Sequence, residues 1–135
     1  MADVWLDTNV AVHFITGAPP QKAAAAKRLF ERAGRGEIRL RLCPLIVAEL
    51  VWTLLSPAFG YSRDQVVEAV VSLVAADGMT SDEGMVTIAA LHTMRATGVD
   101  FVDAHLATKA RLTRSPVASF DRDFDRLGVE RLSLA

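Results

Sequence analysis

Val4-Trp5-Leu6-Asp7-Thr8-Asn9 is the stretch on which the reading of this chain turns. Three apolar residues, two of them good β-formers, run straight into an acid, a hydroxyl and an amide. That is the pattern of a short buried strand whose carboxyl end opens into a polar turn. In open α/β sheets, ligand sites lie beyond the carboxyl ends of the strands, near the point where strand order reverses. An acid delivered there by a first strand is a natural centre for a site. The competing role is local: Asp, Thr and Asn all cap helices well, and Asp7 would then merely start the next one. Deciding between the two requires other acids.

Working outward, the 135 residues suit one domain spanning 1–135, and a chain of that length buries roughly two thirds of its surface. With 51% hydrophobic residues the chain can build a real core, and the composition is that of a folded rather than a disordered chain. The net charge of −1 gives no global basic signal for nucleic acid, so any such argument rests on local clusters. A single cysteine, Cys43, rules out an internal disulfide and fits a reducing compartment. The longest apolar run, Pro44 to Leu55, is interrupted by Glu49 and is shorter than the ~18 residues that suggest a membrane span. Asp3 and Asp7 stand where a signal peptide needs basic and then purely apolar residues. The expectation is a soluble, cytoplasmic protein without a membrane partner.

Along the chain, Pro19-Pro20 closes a first loop, and residues 21–33 read as a helix with Ala26, Leu29, Phe30 and Ala33 on one stripe. Gly34 and Gly36 stop it. Residues 38–43 alternate as a strand, Pro44 opens a helix through Leu55, and Ser62 caps one over 65–76 whose valines face a core. Asp77-Gly78 is a turn before a very short strand at Met79-Thr80. Ser81 or Asp82 caps a helix through Ala96, and Asp100 another over 101–111. Residues 116–120 form a short strand, 121–127 a polar turn or short helix, and 129–134 an edge strand. Strands alternating with helices predict an α/β fold with a mainly parallel sheet and right-handed crossovers.

Three further acids accompany Asp7. Glu49 is the only ionisable group of a helix that reads as apolar on every face and therefore buried all round; a buried carboxylate needs a cation, hydrogen bonds or a raised pKa, unless Glu49 sits at an exposed rim. Asp103 suits either a site or the third helical position after the Asp100 cap, where acids favour the helix dipole. Asp121 again follows a strand, with Asp123 and Asp125 in the same turn, so a solvated acidic turn is the alternative. Asp7 and Asp121 lie past strands, and Glu49 and Asp103 in helices that pack on such a sheet. Carboxylates gathered at one sheet edge repel each other unless a divalent cation neutralises them. Oxygen ligands without a His or Cys cluster suit Mg²⁺ or Mn²⁺ rather than zinc. Thr8, Asn9 and Ser119 are placed to orient the acids or their waters. His13, His92 and His105 lack metal spacing and read as surface or structural histidines, and Cys43 as core. Of the basic residues clustered from Lys22 to Arg41, those from Lys22 to Arg32 read mainly as a solvated helix face, while Arg122 and Arg126, close to Asp121, are candidates for substrate phosphates.

Leu6-Asp7-Thr8-Asn9, Val47-Ala48-Glu49, Asp100-Phe101-Val102-Asp103-Ala104 and Ser119-Phe120-Asp121-Arg122-Asp123-Phe124, in this order and spacing, resemble the PIN-domain family, and among it the VapC-type toxin ribonucleases of type II toxin–antitoxin pairs. The resemblance covers the whole chain. It implies a three-layer α/β/α sandwich around a short-stranded parallel sheet with the first strand central, and an acidic quartet that binds Mg²⁺ or Mn²⁺ and cleaves RNA. Position by position the quartet falls on Asp7, Glu49, Asp103 and Asp121, with Asn9, Ser119 and Asp123 as the accompanying polar residues. Phe120 departs from the family's frequent polar residue there, and Asp100 competes with Asp103 for the metal-facing role. A cognate antitoxin and a homodimer are implied in the same way. Two other readings compete: a non-catalytic PIN-like module that binds RNA or protein, and a phosphatase of the haloacid-dehalogenase type. The latter needs a second acid two residues after the first, where Asn9 stands.

Overall fold

Ile38, Leu40 and Leu42 are buried while Arg39 and Arg41 between them face outward, the period-two signature of a strand with one covered face. The strands of this sheet are β1 (Ala2–Trp5), β2 (Ile38–Leu42) and β3 (Met79–Ser81), in the order β1-β2-β3 and parallel throughout. They belong to the first of two compact units, Met1–Gly84 and Met85–Ala135, in a computed structural model that describes residues 1–134. The register sets Asp3 opposite Arg39 and Trp5 opposite Arg41 on one face, and Val4 opposite Leu40 on the other. Within this sheet β2, rather than β1, has a neighbour on each side.

The charged face is knitted together. Asp3 accepts from Arg39 at 3.2 Å and from Arg41 at 3.3 Å, and Arg41 also reaches Asp82 at 2.9 Å. The Arg41 guanidinium lies 4.8 Å from the Trp5 ring centroid, a cation–π contact. This corrects the expectation of a buried first strand: Trp5 is 58% exposed, and only Leu6, just past the strand, is buried. Arg32 and Arg35 likewise pair with Glu37, so much of the basic stretch is neutralised within its own unit.

The first loop is in fact a helix. Thr8, Ala11 and Val12 form the buried stripe of α1 (Thr8–Thr16), which Gly17 closes in the left-handed conformation at φ 70°. It packs on α2 (Pro20–Gly34), where the Phe14 and Phe30 rings stack at 4.0 Å between centroids. α3 (Pro44–Leu55) begins with Pro at its first position, where a missing N–H costs nothing, and packs on α1 and α4 (Arg63–Val74). Val66, Val67 and Val70 of α4 are core residues and offer no surface patch. Ser62 and Gln65 form a reciprocal capping box at its start. Ser62→Ala is expected to lower stability by about 1 kcal/mol, read as a shift in urea midpoint; no shift would mean the box contributes nothing.

The second unit holds α5 (Gly84–Thr97), α6 (Phe101–Thr113), the strands β4 (Val117–Ala118) and β5 (Arg131–Leu132), and a 3₁₀ turn at Arg122–Arg126. β4 and β5 pair in parallel, and Arg131 ties the turn to β5 through Asp125 at 2.9 Å. The described chain is therefore mixed α/β with six α-helices and parallel strand pairing, as expected. None of its helices is long and apolar enough to cross a membrane.

Candidate active site

In the first unit, the Leu6 N–H donates to Arg41 O at 2.9 Å, extending the ladder one residue past β1. Asp7 is the next residue. It keeps an extended backbone and caps α1, its Oδ1 accepting the Thr8 N–H at 2.8 Å. The capping role foreseen for Asp7 is therefore seen, and because it engages Oδ1 it does not compete with a ligand at Oδ2.

Glu49 corrects the sequence reading. α3 is not buried all round: Leu45 is 81% exposed and Trp52 51%, and Glu49 lies with them on an exposed face, while Val47, Leu50, Val51 and Leu54 fill the core. Leu45, Glu49 and Trp52 are spaced i, i+4, i+7, one side of the helix. Apolar composition alone does not say which face is covered. Glu49 still meets Asp7: the two line one pocket of about 280 Å³ with Thr8, Asn9, His13 and Thr53.

Thr8 is the telling residue of that pocket. It is 5% exposed, and its Oγ1 is buried without a hydrogen-bond partner. A buried hydroxyl left unsatisfied costs about 1–3 kcal/mol, a cost borne here beside the two acids. The donors around it, two carboxylates, a hydroxyl and an amide, are hard oxygen groups. Mg²⁺ commonly takes one or two carboxylates and keeps several waters, and Mn²⁺ suits the same donors. In neither unit do three His, Cys, Asp or Glu side chains among the described residues gather closely enough to hold an ion by themselves. The Asp7–Glu49 pair is the donor set that would hold a hydrated hard cation here.

In the second unit, Asp100 caps α6, its side chain accepting the Val102 N–H at 3.2 Å, and Asp103 follows in the first turn, half-buried. Asp121 caps the 3₁₀ turn: its Oδ1 accepts the Asp123 N–H at 2.9 Å, and its own N–H donates to Ser119 Oγ at 3.0 Å. Asp123 faces Arg126 at 3.4 Å, and Arg126 also donates to Thr97 O at 2.7 Å. Arg122 is exposed in the same turn, and Phe120 beside Asp121 is 83% exposed. Burial first, and then the carboxylates of Asp100, Asp121 and Asp123, push the Asp103 carboxyl above its ordinary range. These acids share one electronegative neighbourhood.

The raised Asp103 pKa has a definite sign. The folded chain holds that proton more tightly than the unfolded chain, so the stability it contributes is present below the ordinary carboxylate pKa. It is lost as pH rises through the raised one. Asp103→Asn, which cannot ionise, is expected to melt above the parent at pH 7 in EDTA, with the gap closing as pH falls through the carboxylate range. A variant melting lower at pH 7 would contradict this.

His13 and Thr53 join the acids although nothing in the sequence reading placed them there. For His13 a signal existed: Asn9 and His13 are four residues apart, hence on one face once residues 8–16 are seen as a helix.

Comparison with known proteins bears on the whole chain. No curated protein matches it. A family model described as PIN domain matches residues 4–130, running through both units and taking in all four candidate acids. PIN domains are generally nucleases, that is hydrolases, and generally use divalent metal ions. With nearly its full length accounted for in this way, the chain belongs to the PIN domain family.

Proposed function

We propose that this chain is a single-domain endoribonuclease over residues 1–135 that hydrolyses RNA phosphodiester bonds with Mg²⁺ or Mn²⁺, and that it is the toxin of a toxin–antitoxin pair. One observation supports the metal-dependent part: the Asp7 and Glu49 carboxylates line one pocket together with Thr8 and Asn9. In this reading Asp7, Glu49, Asp103 and Asp121 hold the cation directly or through waters. Thr8, Asn9, Ser119 and Asp123 orient them; the Ser119 Oγ that accepts the Asp121 N–H supports this for that acid. When bound, the ion neutralises charge at the phosphate and activates water for hydrolysis.

The chain's own groups do the positioning. The Asp7 cap fixes one carboxylate relative to the end of the sheet, so little side-chain freedom is lost when a ligand arrives. Arg122 and Arg126 are assigned to RNA phosphates, Arg126 being steadied beside Asp123 by Thr97 O. A cognate antitoxin, a homodimer and a cytoplasmic setting complete the proposal, on the strength of the sequence resemblance to VapC-type toxins.

The test is cleavage of a mixed RNA pool by purified protein with Mg²⁺ or Mn²⁺, then with EDTA. Cutting with metal and none with chelator is the expected result. Protein that is folded, free of antitoxin, neither cuts RNA nor gains heat stability from the ions would instead be a binding module.

A further inference from the structure

Asn9 and His13 line two pockets at once. One holds Asp7 and Glu49. The other, about 430 Å³, is formed by α1 and α2, with walls of Val10, Ala25 and Leu29 and a cation, Lys22. That volume lies within the ~300–1,000 Å³ typical of small-molecule sites. The two pockets are therefore neighbours, with a pair of hydrogen-bonding side chains common to both walls.

The groups of the second pocket are sorted by chemistry. Its walls are mostly aliphatic, suited to the flat face of a planar ring. Lys22 is exposed in the first turn of α2, no acid stands three or four residues from it, and no acid lines the pocket. Its charge is thus available to an anion. The His13 ring is anchored, with Nδ1 2.9 Å from Ala18 O. A carbonyl only accepts, so Nδ1 carries the hydrogen and Nε2 is the ring atom left for a ligand. Asn9 is exposed and supplies both a donor and an acceptor.

We infer that this pocket is a nucleotide subsite, taking one unstacked base of a single-stranded RNA and, at Lys22, one backbone phosphate neighbouring the scissile phosphate that would sit at the Asp7–Glu49 pocket when its cation is bound. The inference rests on the ribonuclease reading and extends it to substrate selection. Single-stranded RNA is bound by seating splayed bases on apolar, aromatic or imidazole surfaces and by neutralising phosphates with cations. An apolar side chain of a protein partner would fill the walls, but would offer no anion to Lys22 and no polar atom to Asn9 or to His13 Nε2. A nucleotide satisfies all three.

The probe is a pool of fluorescein-labelled single-stranded tetraribonucleotides, followed by anisotropy in EDTA, so that binding is read apart from cleavage. Ala25→Leu fills the pocket from an exposed helical position with a good helix former, and Lys22→Gln removes the cation. Neither residue is among the acids. Circular dichroism melts check that both variants fold. Wild type is expected to bind; Ala25→Leu should weaken binding about tenfold, the order of a lost base contact, and Lys22→Gln should lower the salt slope by about one. In Mg²⁺, Ala25→Leu should raise KM and blur the preference for cut sites while kcat stays put.

Unchanged binding and an unchanged cut-site profile in Ala25→Leu, from a wild type that cuts RNA, would overturn the subsite and leave the nuclease standing. Wild type that binds the pool through Ala25 and Lys22 but cuts no RNA would retire the nuclease instead. Wild type that does not bind the pool at all overturns the subsite outright.

Discussion

Asp7→Ala is expected to reduce metal-dependent RNA cleavage by at least about 100-fold, because loss of a mere supporting partner of a metal ligand costs about 10–100-fold and Asp7 is assigned as a ligand itself. The alanine also removes the α1 cap, in which Asp7 Oδ1 accepts the Thr8 N–H, a further loss of about 1 kcal/mol of stability. Asp7→Asn separates the two effects. Asparagine keeps an oxygen at the capping position but carries no charge, so it should fold with a midpoint close to wild type and still lose cleavage. The measurement is kcat at saturating Mn²⁺ beside a thermal melt for each variant. An Asp7→Asn protein with wild-type kcat would show that the carboxylate serves only the helix.

Gly78→Ala should be the most damaging single substitution outside the acids. A Cβ built there would lie 2.2 Å from Ala33 O and 2.4 Å from Ala33 C, both backbone atoms of α2 that cannot swing aside. Gly78 also sits at φ 80°, a conformation that costs a residue with a side chain about 1–2 kcal/mol. Adding about 1–3 kcal/mol for the overpacking gives a loss of about 2–5 kcal/mol, a large part of the about 5–15 kcal/mol that holds an ordinary domain. Gly60 is the natural control: its φ is 70°, but nothing lies within 4 Å of its Cβ position. Urea midpoints for Gly60→Ala and Gly78→Ala should differ strongly. Equal losses would mean that the approach to Ala33 carries no weight.

The sequence was most legible where a boundary residue has only one plausible job. Pro44 and Ser56-Pro57 bracket α3 as read, and Ser62 and Asp100 cap their helices as read. It was least legible where local preference opposed the outcome. α1 carries Thr8, Val10, Val12, Ile15 and Thr16, β-branched residues of modest helix propensity, and its nine residues are held by packing on α2 and α3. Glu49 was singled out for a burial that it does not have, since twelve mostly apolar residues do not disclose which side of a helix is covered. Its nearness to Asp7 depends on α1 packing against α3, a contact between segments distant in sequence. The capping and site readings of Asp7, Asp100 and Asp121 were set against each other as alternatives. A carboxylate has two oxygens, and one can cap while the other faces a ligand.

The exposure of both tryptophans has a practical side. Trp5, under the Arg41 guanidinium, and Trp52, one turn from Glu49 on α3, are each about half in water in the native fold, and they are the only indoles in the chain. Unfolding therefore changes their surroundings little, and the emission maximum will be a poor optical gauge of whether a variant is folded; backbone circular dichroism is the sounder one. The same geometry makes Trp52 a ready-made reporter. A cation or an oligonucleotide arriving at Glu49 comes within reach of its emission, without any label attached to the protein.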